Sequence, residues 1–121
     1  MKTLLLLWKA FDYSLQGVRN AFYDEIAFRI ALAVAVILMP AAVLLPVSLI
    51  FRILLIGSVL LVLIIELLNT AVEAAVNRIP TEQHTFSAKA KDAGSAAVLM
   101  TSKNLVVVWG IVLFDIIFNI S

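Results

Sequence analysis

An all-α membrane protein, with three transmembrane helices behind an N-terminal amphipathic surface helix, is the fold class this sequence predicts. Three observations lead there. Hydrophobic residues make up 64% of the 121 positions and the mean hydropathy is +1.11, against about 45–50% apolar in ordinary soluble domains. A soluble chain of this length has too little interior to hide so much apolar surface. Charged residues are 14% of the chain, and they gather in a few places rather than spreading over a surface. The length suits one domain, residues 1–121.

Residues 4–23 read as the surface helix. Leu4, Leu7, Trp8, Phe11, Leu15, Val18 and Phe22 recur at spacings of three and four, with Lys9, Asp12, Gln16, Arg19 and Asn20 mostly opposite. Such a helix lies in the interface with its aromatic residues at the acyl boundary; packing on its own protein is the alternative. Met1-Lys2 and the run Leu4–Leu7 resemble the start of a signal peptide, but the apolar run is short and Lys9, Asp12 and Arg19 follow it, so the segment is expected to be retained.

The first span is expected at about 28–45. No charge occurs from Ile30 to Phe51, and Pro40 and Pro46 are expected to end the helix early around a short external turn. The second is expected at 48–78, closed by Pro80, and a polar cytoplasmic loop at 79–90 follows. The third is expected at 91–117, opening on Lys91-Asp92 and the small residues Ala93 to Ala97, which allow close helix approach. Basic residues precede span one (Lys9, Arg19, Arg29) and lie between spans two and three (Arg78, Lys89, Lys91). The N-terminus and the 79–90 loop are therefore expected in the cytoplasm and the C-terminus outside.

Some function classes are excluded early. A net charge of +1 gives no bulk attraction to nucleic acid, and the absence of cysteine removes disulfides, thiolate metal sites and thiol nucleophiles. No P-loop and no Gly-rich kinase motif is present among the four glycines.

The chemistry-bearing pattern is in the second span. Glu66, Asn69, Glu73 and Asn77, spaced 3, 4 and 4, share one helix face. An ionised carboxylate inside a bilayer costs at least about 2.5 kcal/mol, so these side chains must face protein, water, a cation or one another. An inter-helix polar clasp is the purely structural explanation. Glu73, nearer the cytoplasm, suits Mg²⁺, which takes one or two carboxylates plus phosphate oxygens. Glu66, deeper, suits a general base, and Asn69 hydrogen-bonds between them without adding charge. Glu25 stands at the same depth as Glu73, although an exposed ion pair with Arg29 explains it equally well. Lys91 suits phosphate neutralisation or plain snorkelling, and a lone loop histidine such as His84 is usually only solvated.

The stretch from Glu66 through Asn69 to Glu73, the run Asn77-Arg78-Ile79, the run Lys91-Asp92-Ala93-Gly94-Ser95, and Glu25 to Arg29 together resemble the prokaryotic diacylglycerol kinase family over essentially the whole chain. The resemblance implies a homotrimer with active sites shared between subunits in the bacterial inner membrane, ATP with Mg²⁺ as phosphoryl donor, and the hydroxyl of diacylglycerol as acceptor. It makes Glu66 the catalytic base and Glu25 and Glu73 the metal carboxylates. Tyr13, Glu25, Glu73, Glu82, Gln83, His84, Lys91 and Asp92 become nucleotide contacts. Arg52, Glu66 and Ser95 become lipid-side positions, with Asn69 in support. The chain departs from the pattern at Asn77, where aspartate is common, at Leu6, where a basic contact occurs, and at Phe22, where tryptophan is common; Lys103-Asn104 is unusually polar for a span. Undecaprenol kinase, of the same superfamily, is the near alternative. A small proton-coupled transporter is the alternative from another class, because such proteins also bury glutamates in short spans.

Overall fold

The computed structural model describes residues 1–79 and 84–118. Four helices follow one another, α1 (Lys2–Asp24), α2 (Ile26–Leu44), α3 (Leu49–Val76) and α4 (His84–Phe118), and no strand occurs among the described residues. The last three are long and apolar enough to cross a bilayer, with mean hydropathies of 2.4, 2.6 and 1.8 over their most apolar stretches. At 1.5 Å per residue α2 is about 28 Å long, close to the hydrocarbon thickness of about 30 Å. The 28 residues of α3 and 35 of α4 make about 42 and 52 Å, so both overrun it.

Helix α1 meets this bundle only along its C-terminal half. Every residue from Met1 to Asn20 is exposed, the leucines and Trp8 included, and Ala21 is its one buried residue. The apolar stripe from Leu4 to Leu15 therefore does not pack on its own chain.

The helix ends follow local chemistry. Helix α2 runs through Pro40 and stops at Leu44. The missing N–H of Pro40 costs one intrahelical bond, which a membrane helix tolerates. Pro46 acts instead by forcing its predecessor out of the helical region, and Leu45 is extended at φ −64°, ψ 144°. Arg52 closes this end, its guanidinium donating to the carbonyls of Ala42 (2.8 Å), Val43 and Val47 (3.2 Å). Ser48 caps α3 by accepting the Phe51 amide at 3.2 Å.

Helix α4 begins at His84, so residues 85–90 form its first turns and not a loop. Polarity marks where lipid ends, not where a helix ends: beyond Pro80 the sequence contains no further proline, and alanine and lysine carry a helix well.

The core lies between α2, α3 and α4, built from Ala35, Ala42, Leu55, Val59, Trp109 and Val112. Its polar pin is a chain in which Trp109 Nε1 donates to Ser58 Oγ (3.1 Å) and Ser58 in turn to the Leu55 carbonyl (2.7 Å). The outer faces remain apolar, as lipid solvation requires.

Candidate active site

At the other end of the bundle α1 and α3 enclose a cleft of about 710 Å³. Its α1 wall includes Ser14, Gly17, Asn20, Asp24 and Glu25; its α3 wall includes Thr70, Glu73 and Asn77. Glu25 reaches this cleft because the chain breaks there. It is extended (φ −121°, ψ 112°), closing α1 and capping α2. Arg29 does not pair with it but donates to the carbonyls of Phe22 and Tyr23, both at 3.2 Å. The guanidinium thus serves the last carbonyls of α1, and the Glu25 carboxylate, half-buried on the cleft wall, is not consumed by the ion pair the sequence allowed.

The stripe on α3 divides. Glu73 and Asn77 line the cleft, whereas Glu66 and Asn69 do not. Glu66 is 7% exposed, a carboxylate buried within a single chain, and its backbone carbonyl accepts Thr70 Oγ1 at 2.9 Å. Asn69 links the two parts, its Nδ2 donating to Glu73 Oε1 at 3.3 Å. Its Oδ1 is buried with no hydrogen-bond partner among the described residues, pressed against α4 at Gly94. Seven residues, about 10 Å of rise, separate Glu66 from Glu73. Measured from Leu49, Glu66 lies about 25 Å along α3 and Glu73 about 36 Å. With Leu49 taken as the far edge of about 30 Å of hydrocarbon, the near edge falls between the two carboxylates.

Other expected site residues lie apart from the cleft of a single chain. Tyr13, Lys91, Asp92 and Ser95 are exposed and do not line it. Arg52 is fourteen residues from Glu66, about 21 Å toward the far end of α3, and spends its donors on carbonyls. Glu82 and Gln83, together with the side chain of His84, lie outside the described residues. Ser14, Asn20, Asp24 and Thr70 join the cleft without having been singled out from the sequence. A signal exists for Ser14: Ser14, Gly17 and Ala21 recur at three and four, a small-residue edge along which α1 can approach another helix.

Among the described residues no three His, Asp or Glu side chains are grouped so as to hold a metal ion by themselves. The carboxylates of Glu25 and Glu73, with the Asn69 amide beside them, are a hard oxygen-donor set. It fits a cation such as Mg²⁺ that fills the rest of its shell with water and phosphate oxygens, and not one that needs a complete protein cage.

Comparison with known proteins assigns this architecture. Residues 12–113 match the family model of prokaryotic diacylglycerol kinase. The chain is 50% identical over 102 residues to the diacylglycerol kinase of Haemophilus influenzae, covering 84% of this chain and 86% of that one. It is 48% identical over 107 residues to that of Escherichia coli K12, covering 88% of each. With the Pseudomonas aeruginosa enzyme the identity is 46% over 104 residues, 86% of this chain and 85% of the other. The chain belongs to the prokaryotic diacylglycerol kinase family.

Proposed function

We propose that this protein transfers the γ-phosphoryl group of ATP to the free hydroxyl of diacylglycerol, giving phosphatidic acid and ADP, at the cytoplasmic face of the bacterial inner membrane. The observation that carries the reading is the step in depth on α3: a buried carboxylate, Glu66, lies about 10 Å below a carboxylate-lined cleft that opens among the headgroups. A lipid hydroxyl arrives from below this level and a nucleotide from above it, and the reaction needs them to meet.

In this reading diacylglycerol enters sideways from the bilayer and Glu66 accepts the proton of its hydroxyl as the oxygen attacks the γ-phosphorus. The bond from that phosphorus to the bridging oxygen breaks and leaves ADP. Glu25 and Glu73 would hold the magnesium ion, which when bound draws charge from the phosphate oxygens. Asn69 keeps the Glu73 carboxylate oriented through its amide. Lys91 offsets developing negative charge. Because Lys91 and Asp92 stand outside the cleft of one chain, the site is completed in a homotrimer, where a neighbouring subunit brings them to it. Catalysis is then mostly positioning and electrostatics.

The test is Glu66→Gln, assayed as a correctly assembled oligomer for transfer of labelled phosphate from ATP to diacylglycerol. Transfer is expected to vanish while nucleotide and Mn²⁺ binding persist. Activity equal to the parent would remove Glu66 from its role. Running undecaprenol beside diacylglycerol as acceptor checks the lipid assignment.

A further inference from the structure

Three of the four glycines, Gly17, Gly57 and Gly110, face open space: a Cβ added at any of them meets nothing within 4 Å. Gly94 differs. A Cβ there would lie 3.3 Å from Asn69 Cγ, closer still to Asn69 Oδ1, and 3.8 Å from Val72 Cγ1. Gly94 lies inside a regular helix, where glycine is less favourable than alanine. Space, not backbone conformation, explains it.

We propose that Gly94 is a positioning residue of the metal-binding carboxylates, acting through Asn69; this rests on the reading of Glu25 and Glu73 as metal ligands given above. On one side the Asn69 amide is held by Glu73 Oε1, 3.3 Å from Nδ2. On the other its Oδ1 has no hydrogen-bond donor among the described residues, so no bond fixes it there. What limits it is the wall of α4, and at Gly94 that wall is bare backbone. Any side chain at 94 must displace the amide, and the amide carries the Glu73 carboxylate with it or lets it go. Gly94 thereby sets the geometry of a metal site whose carboxylates stand on α3 and at the α1–α2 break, without itself contacting the metal or either substrate.

The inference separates from a packing role by what the variant changes. Gly94→Ala in the assembled protein is expected to raise the Mg²⁺ concentration for half-maximal activity by about tenfold, the scale at which loss of an outer-shell partner weakens a metal site. The KM for diacylglycerol is expected to stay unchanged. Mn²⁺ binding, followed by electron paramagnetic resonance with a non-hydrolysable ATP analogue, should weaken in parallel. Asn69→Ala removes the amide that a Cβ would strike, so Gly94→Ala/Asn69→Ala should bind Mn²⁺ as Asn69→Ala alone does. That comparison also decides the matter if Gly94→Ala by itself does not assemble. Parental Mn²⁺ affinity in Gly94→Ala, or further weakening in the double variant beyond Asn69→Ala, would overturn the proposal. Glu73→Gln is the control. If it binds Mn²⁺ like the parent, the metal assignment itself fails and the role of Gly94 goes with it; if it loses the ion while Gly94→Ala keeps it, only the role of Gly94 fails.

Discussion

Replacing Arg52 by methionine keeps the length and apolar stem of the side chain and removes every donor. The three carbonyls it serves, on Ala42, Val43 and Val47, lie at the end of α2 and in the turn before α3. A helix end leaves such carbonyls without intrahelical partners. Each hydrogen bond is worth about 1 kcal/mol net, and a cation at a helix C-terminus adds up to about 1 kcal/mol. Interfacial water can re-solvate the exposed Val43 but not Ala42, which is fully buried. The net loss should therefore be about 2–3 kcal/mol. Arg52→Lys keeps the charge without the planar fork and should lose about half as much. Reversible unfolding in mixed micelles, titrated with a denaturing detergent, measures both. Diacylglycerol KM per folded molecule should not move, because Arg52 lies about 21 Å along α3 from Glu66. A destabilisation below about 0.5 kcal/mol, or a clear rise in lipid KM at unchanged stability, would refute the carbonyl clamp and return Arg52 to the lipid-contacting role that the family resemblance implies.

Two further outcomes follow from other parts of the bundle. Ser58→Ala leaves the Trp109 indole N–H without its acceptor in the core and should cost about 1 kcal/mol in the same unfolding assay, within the range of inter-helix hydrogen bonds in membranes; activity per folded molecule should be unchanged, and a large kinetic defect would contradict the separation of core from site. Asn77→Asp adds a carboxylate to a cleft that already holds Asp24, Glu25 and Glu73. Mn²⁺ affinity should rise severalfold, while stability in metal-free buffer should fall through like-charge crowding and a negative charge at the α3 C-terminus; weaker metal binding would mean that Asn77 does not face the ion.

How far the site could be read in advance differs residue by residue. Glu66 and Glu73 were legible because hydrocarbon penalises charge so heavily that an acidic stripe inside a span demands a reason. Glu25 is not legible in this way, since an i,i+4 arginine is an adequate partner on paper; the break in the helix at Glu25 and the capture of Arg29 by two carbonyls remove that ion pair and leave the carboxylate on the cleft wall. Periodicity put Glu66, Asn69, Glu73 and Asn77 on one face, but a face is about a third of a helix. Which part meets α4 and which meets α1 depends on where the neighbours pack. The start of α4 is not legible in the sequence, because hydropathy reports the edge of the lipid and is silent on backbone hydrogen bonding beyond it.

By itself the sequence determined the all-α class of the protein, its three helices long and apolar enough to cross a bilayer, and the spacing of its acids along one of them. These follow from one-dimensional quantities: apolar length against bilayer thickness, and helical rise per residue. Only the tertiary structure decided which side chains share a cleft, that Arg52 spends its donors on carbonyls, and that the one crowded glycine stands against Asn69. Those are facts about contact between helices distant in sequence, and in a membrane such contact is set by side-chain shape and hydrogen bonding, which leave no period in the chain to read.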